Sequence, residues 1–276
     1  MPVSLAYYRP DTVDEATHLY TQLSQEGDRP TFYSGGTEIL TFRRSGLLST
    51  SAVIDIKAVP GITSVGRSAG QLTIGAGLTL EQISTVDVWP ALTATVDRIA
   101  DHTSRSKITL GGNIASALPY REAALPWMLI DCWVHIGTPS GIDRRDFSDV
   151  FDGSLHLSPG EFVIAFELSE EDVSIPFKSW KMTRMDWIDY PLVTVVAFKK
   201  HDGIRLAITG YGKQPFRAKT LEQAFNPVKK GTMGLDQAIR ELPIEPVDDL
   251  HGSGRYRQLV LAHALENILD DAHWHR

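Results

Sequence analysis

Apolar residues recur at helical spacing at Val13, Ala16, Leu19, Tyr20 and Leu23, which predicts an amphipathic helix between Thr12 and Gly27. Thr12, with Glu15 three residues on, has the form of a capping box, and Gly27 suits a left-handed helix stop. PTFYSGG then predicts a short strand entering a Gly35–Gly36 turn, and TEILTFRRSG a helix opened by Thr37 and closed by Gly46. AVIDIK alternates as a strand does, and ITSVGRSAGQLTIGAGLTL predicts a hairpin around Ala69–Gly70. Helices are expected in TLEQISTVD, in ALTATVDRIADH and, past a second turn at Gly111–Gly112, in REAALPWMLIDC.

The later pattern is strand-rich. WVHIGTP and EFVIAFEL read as strands, and LVTVVAFKKHDGIRLAITGYG as a hairpin joined around Asp202–Gly203. Three helical stretches follow, the last in SGRYRQLVLAHALENILDDAH. The acidic, proline-containing SEEDVSIPFK is a candidate domain boundary. βαβ-rich segments, then a hairpin, then helices suggest an α+β fold of two or three subdomains.

Composition narrows the function. The chain has 276 residues, room for about two domains of ~100–200 residues. A net charge of −7 argues against nucleic acid or an anionic membrane as the main partner. MPVSLAYYRPDTVDEA lacks the apolar centre of a signal peptide, and no run approaches the ~18–20 apolar residues of a membrane span, so cytoplasm is the expected compartment. The single cysteine, Cys132, excludes an intrachain disulfide and a four-cysteine zinc or iron–sulfur site. Redox chemistry here therefore needs an organic cofactor or a partner's metal.

The two glycine pairs, in TFYSGGTEIL and KITLGGNIAS, carry the strongest chemical signal. A glycine pair lets backbone approach a ligand with several N–H groups aimed into one hollow, and a helix starting just after adds its dipole. Hydroxyls at Ser34, Thr37 and Thr109 and the Asn113 amide stand beside them. Two anion-cradling turns suit a ligand with two phosphates, a dinucleotide. Glycine pairs also serve as plain turns. Neither a G-x-G-x-x-G fingerprint nor a G-x-x-x-x-G-K-[ST] loop is present.

Other candidates have ordinary explanations. His102 lies near the second turn, and His251, His263, His273 and His275 belong to the C-terminal region, so no metal site is assigned. Cys132 reads as a small buried residue, and Trp127, Trp133, Trp180 and Trp187 as core. Trp180 and Tyr190 also flank Lys181 and are placed to shield a cofactor or a partner face. Arg43, Arg44, Arg67, Arg105 and Lys107 form either a basic rim round a diphosphate or a set of solvated charges. No G-x-S-x-G elbow supports a hydrolase.

YYRPDTVDEA, YSGGTEIL, VIDIKAVPGI, LTIGAGLTL, TLGGNIASA, LSPGEFVIAFEL and the Lys181–Arg184 region resemble, in order and over nearly the whole chain, the FAD-binding medium subunit of the molybdenum hydroxylases. That family includes xanthine dehydrogenase and carbon monoxide dehydrogenase, and its paired motifs are A-G-G-T-x-L and T-I-G-G-N. The resemblance implies an α+β, vanillyl-alcohol-oxidase-type (PCMH) FAD-binding fold. Its two α/β subdomains would occupy 1–57 and 58–172, and a C-terminal domain at 173–276 would pack a three-stranded sheet with helices. It implies FAD contacts at Phe32, Tyr33, Ser34, Gly35, Gly36, Thr37 and Glu38, and at Thr109, Leu110, Gly111, Gly112 and Asn113. The family's aspartate after the asparagine falls at Glu122, its apolar residue after P-G/E-E at Val163, and its lysine at Lys181. The chain departs from the family at Ile108, where glycine is usual, and in LPYREAALP, where the family has S-P-x-x-D.

The implied activity is that of a flavin-dependent oxidoreductase subunit in a heteromeric complex. Electrons from [2Fe–2S] clusters on a small partner, supplied by a molybdenum cofactor on a large one, would pass through FAD to NAD⁺ or another acceptor. No catalytic residue is assigned to this chain. One alternative is a flavin-free scaffolding subunit, for which Ile108 and LPYREA are the evidence. Another is a stand-alone flavin oxidoreductase similar to the UDP-N-acetylenolpyruvoylglucosamine reductases, which requires a substrate domain with a catalytic Ser or Glu.

Overall fold

The structure, a computed structural model, describes residues 5–185, 189–225 and 234–270. Trp187, His273 and His275 lie outside the described residues. Three sheets organise the chain. The first contains β1 (Ala6–Tyr8), followed by α1 (Val13–Gln25), β2 (Pro30–Tyr33), α2 (Thr37–Arg44) and β3 (Ala52–Asp55). Its order is β1-β3-β2 with both pairings parallel. All four residues of β3 are buried, so the alternation expected in AVIDIK gives way to a central parallel strand covered on both faces. Ala16 and Leu23 of α1 pack with Ile54, Ile56, Val59 and Ile62, and with Phe162 and Ile164 from farther along the chain. Thr12 caps α1 by accepting from Glu15 N (3.1 Å), while the Glu15 carboxylate reaches back to Asp11 N (2.9 Å), one residue before the expected partner.

The second sheet begins with the hairpin β4 (Val65–Ser68) and β5 (Gln71–Gly75). Ala69 (φ 50°) and Gly70 (φ 77°) form its turn, both left-handed as a type I′ connection requires. Four short helices follow: α3 (Leu80–Val86), α4 (Pro90–Val96), α5 (His102–Arg105) and α6 (Leu110–Ile114). Then come β6 (Cys132–Thr138), β7 (Gly141–Asp146), α7 (Phe147–Val150), β8 (Phe162–Ser169) and α8 (Glu170–Val173), giving the order β4-β5-β8-β6-β7. REAALPWMLIDC, expected to be helical, forms only two 3₁₀ turns, Glu122–Ala124 and Trp127–Leu129. Pro126 between them has no N–H with which to continue a helical ladder. Trp127 is fully buried and meets Trp89 edge to face at 4.7 Å.

The third sheet is antiparallel and has four strands rather than three. They are β9 (Phe177–Thr183), β10 (Pro191–Lys200), β11 (Gly203–Thr209) and the two-residue β12 (Phe216–Arg217). Lys200 pairs with Gly203, so the hairpin turn is His201–Asp202, one residue earlier than the sequence suggests. Helices α9 (Lys219–Ala224), α10 (Leu235–Arg240) and α11 (Gly254–Leu269) complete the chain. β10 explains its own unbroken apolar run. Val196 and Phe198 join the core of the second sheet, whereas Val193, Val195 and Ala197 pack with Val260, Leu261, Ala264 and Leu265 of α11. The buried Arg257 of α11 donates to the carbonyls of Leu192, Gly210 and Val247 and to the Asp249 carboxylate, at 2.7–3.0 Å.

Candidate functional site

The two glycine turns meet. At the first, Gly36 adopts φ 70° and caps α2, displacing Thr37 from the capping position assigned to it from the sequence. A β-carbon on Gly36 would lie 2.1 Å from the Tyr33 ring. A β-carbon on Gly35 would lie 2.2 Å from the carbonyl oxygen of Lys107 and 3.2 Å from Thr109 N. Glycine is therefore required by contact between the two turns as well as by local conformation.

The second turn rests on the segment after β5. Gly111 N donates to Ala76 O (2.8 Å), Leu110 N to Leu78 O (2.9 Å) and Leu80 N to Ile108 O (2.9 Å). A β-carbon on Gly111 would come within 2.8 Å of Ala76 Cβ. Thr109 Oγ1 accepts from Gly112 N (3.2 Å) and caps α6, and Asn113 Oδ1 accepts from Ala123 N (3.0 Å). The Glu38 carboxylate joins the halves by accepting from Ser116 Oγ and from Ala117 N (3.0 Å). Its side chain thus spans from α2 to the chain leaving the second turn.

These residues fit the diphosphate of a dinucleotide. Ser34 Oγ is buried without a hydrogen-bond partner among the described residues, a state that costs ~1–3 kcal/mol unless an acceptor arrives. It stands at the head of a cradle whose glycines leave no room for side chains.

Several expected contact residues point elsewhere. Phe32 stacks on Tyr20 (5.1 Å) and packs on Phe162 (4.7 Å), while Leu110 and Val163 are buried in the core. Thr37 is exposed in the first turn of α2. Glu122 and Lys181 are brought together, but with each other: Lys181 Nζ lies 3.0 Å from Glu122 Oε2, with side-chain exposures of 1 % and 5 %. Thr194 Oγ1 donates to Glu122 Oε1 (2.8 Å), and Lys181 Nζ donates to Arg98 O (2.7 Å). Arg98 returns a bond to Lys181 O (3.0 Å), and burial lowers its guanidinium pKa despite the nearby Glu122 charge. This cluster ties β9 and β10 to the turn whose Ala123 N–H holds Asn113.

Ile108 needs no glycine. It lies outside the left-handed region, and its side chain packs against the central core. The altered segment after Asn113 is accommodated by Arg121 at φ 38°, whose guanidinium bonds Ser116 O (2.8 Å) and Gly153 O (2.9 Å). A full basic rim does not assemble. Arg67 pairs with Glu170, and Arg105 with Glu81 and the carbonyls of Asp97 and Ala100. His102 faces Glu81 at 3.4 Å. Trp180 meets His263, whereas Tyr190 stacks on Tyr120 at 4.8 Å. Cys132 is buried, its thiol pKa pushed up by that burial, and Sγ donates to Trp127 O (3.3 Å). No cluster of three metal-ligating side chains occurs among the described residues. Sequence reasoning missed Lys57, whose ammonium reaches Ser34 O at 3.1 Å; the only local signal is an Asp-x-Lys at the end of an apolar strand.

Comparison with known proteins supplies the frame for this geometry. Residues 3–169 match the family described as the FAD binding domain in molybdopterin dehydrogenase. The chain is 22 % identical to the 6-hydroxypseudooxynicotine dehydrogenase complex subunit alpha of Paenarthrobacter nicotinovorans, covering 98 % of this chain and 95 % of that one. It is 21 % identical to the carbon monoxide dehydrogenase medium chain of Afipia carboxidovorans, with 99 % and 98 % covered. Among solved structures, carbon monoxide dehydrogenase from Hydrogenophaga pseudoflava superposes with a TM-score of 0.84 at 20 % identity, over 97 % of this chain and 96 % of that one. Quinoline 2-oxidoreductase from Pseudomonas putida 86 gives 0.83 at 19 %, over 96 % and 95 %. With the family match spanning more than half its length and the PCMH-type fold shared over 97 % of it, the chain belongs to the FAD-binding domains of the molybdopterin dehydrogenases.

Proposed function

We propose that this chain is the FAD-binding electron-transfer subunit of a multi-subunit molybdenum hydroxylase, its pyrophosphate cradle formed by Ser34–Thr37 and Thr109–Asn113. The observation that carries the reading is the close approach of Gly35 to Lys107 and Thr109, which brings two distant turns into contact. Bound FAD supplies the redox chemistry. The protein's residues would bind the diphosphate through main-chain N–H groups of the first turn and the Ser34 hydroxyl. The second turn, whose Leu110, Gly111, Gly112 and Asn113 N–H groups donate within the protein, would close the other side, with Glu38 holding the two turns together. The Glu122–Lys181 pair secures the second turn from behind, taking the place of direct contacts from those side chains.

The single, buried cysteine cannot ligate a [2Fe–2S] cluster on this chain, and in this reading the clusters sit on a small partner subunit and the molybdenum cofactor on a large one. The relatives named as a complex subunit and a medium chain support this division. NAD⁺ or another acceptor would take the electrons onward. Cytoplasm is the compartment this reading favours, and no helix among the described residues is long and apolar enough to cross a membrane. The flavin-free alternative loses the support it drew from Ile108, which lies outside the left-handed region and packs against the core, and keeps what it draws from the altered LPYREA segment.

The test is to purify the chain with and without its neighbouring gene products. Yellow protein releasing about one FAD per chain on denaturation, together with co-purifying iron–sulfur and molybdopterin subunits, is expected. Colourless protein that refuses added FAD would overturn the proposal.

A further inference from the structure

Behind the first glycine turn stands a polar cluster separate from the residues that form the cradle. Asp55 ends β3 with only 4 % exposure, and its carboxylate has three donors. Tyr7 OH donates to Oδ2 at 2.6 Å, Lys57 Nζ to Oδ2 at 2.8 Å and Lys57 N to Oδ1 at 3.1 Å. The parallel sheet sets this up by registering Tyr33 against Asp55 and Tyr7 against Val53. Lys57 Nζ, so anchored, donates to Ser34 O at 3.1 Å and lies 4.7 Å from the Tyr33 ring centroid.

A trans peptide is planar, so its C=O and N–H point in opposite directions. A bond that draws the Ser34 carbonyl toward Lys57 therefore turns the Gly35 N–H away from Lys57. Without that bond the plane before two glycines has little to stop it flipping, and a flip would present a carbonyl oxygen to an arriving anion.

We propose that Lys57, held by Asp55 and Tyr7, is a positioning residue for FAD, fixing the Ser34–Gly35 peptide so that its N–H faces the pyrophosphate. The proposal rests on the FAD reading above. The role is geometric more than electrostatic: the Asp55 carboxylate lies against the ammonium, and the Lys57 side chain is 39 % exposed to screening solvent. Burial alone would raise the Asp55 pKa, but the hydrogen bonds from Lys57 and Tyr7 outweigh it and keep the carboxyl below its ordinary range. The cluster is thus intact at neutral pH.

Geometry and charge make opposite forecasts for Asp55→Asn. Removing a negative charge near the diphosphate would tighten FAD if charge alone mattered; loosening the anchor of Lys57 would weaken it. The experiment is FAD titration followed by flavin fluorescence, with competition by ADP, on wild type, Lys57→Met, Lys57→Arg and Asp55→Asn, each also followed by thermal unfolding. Lys57→Met is expected to raise the FAD and ADP dissociation constants about tenfold, the order set by one charge-assisted hydrogen bond, with the fold intact. Asp55→Asn should weaken binding in the same direction, and Lys57→Arg should stay within about threefold of wild type. Wild type that binds FAD while Lys57→Met binds it equally well, or Asp55→Asn that binds it more tightly, would overturn this inference alone. Wild type that takes no FAD would overturn the underlying reading instead.

Discussion

Replacing Lys181 by Met removes the cation from a pair whose side chains are 1 % and 5 % exposed. Methionine retains most of the lysine stem, so the main loss is electrostatic: Glu122 keeps the Thr194 hydroxyl at 2.8 Å and loses the ammonium at 3.0 Å. Stranding one member of a buried pair costs ~3–5 kcal/mol, whereas removing both charges together is often near neutral. At ~2–4 °C per kcal/mol for a chain of this size class, Lys181→Met should unfold on the order of 6–20 °C below wild type. The double variant Glu122→Gln/Lys181→Met should recover at least half of that. Circular dichroism melts of wild type, both single variants and the double variant give the coupling directly. A Lys181→Met midpoint within about 2 °C of wild type, a shift worth no more than ~1 kcal/mol, would show that the pair is not buried as described and that the third sheet is not pinned to the second turn in this way.

Gly35→Ala would put a methyl carbon 2.2 Å from the Lys107 carbonyl, a backbone atom that cannot swing aside. Part of the cost is overpacking of ~1–3 kcal/mol, and the ratio of flavin absorbance to protein should fall sharply; a fully loaded variant would refute the contact between the turns. Ala69→Asn relieves a left-handed alanine at φ 50° and creates an Asn-Gly type I′ turn, so melts should rise by the equivalent of ~0.5–1 kcal/mol, and a lower midpoint would contradict the turn assignment. Glu161 is held below its ordinary pKa, chiefly by its hydrogen bond to Arg145. Burial pushes Glu167 up, but Arg144 and His135 outweigh it. Groups depressed in the folded state stabilise it above their unfolded pKa and lose that contribution as pH falls through the folded value. Thermal midpoints should therefore hold near neutrality and decline below about pH 4; a rise on acidification would contradict this.

What the sequence disclosed was local or repeated. The stripe from Val13 to Leu23, the Ala69–Gly70 turn and both glycine pairs are short-range patterns, and each emerges where expected. Tertiary pairing was hidden. Nothing in REAALPWMLIDC shows that Glu122 will face a lysine 59 residues away, or that Arg67, a candidate for the cofactor rim, will pair with Glu170 at a separation of 103. Phe32 and Val163 sit in the right motifs, yet Val163 is buried in the core of its own sheet and Phe32 packs on Tyr20 and on Phe162, far along the chain. Ile108 looked like a departure because glycine is usual there, but a residue outside the left-handed region tolerates a side chain when a core lies beneath it.

In the proposed FAD complex both glycine turns grip one pyrophosphate. A crystal structure of the chain with FAD bound tests it most directly. Phosphate oxygens are expected between Ser34–Thr37 and Thr109–Asn113, with one of them accepting from the Ser34 hydroxyl. Phosphates bound away from either turn, or held by one turn alone, would contradict it.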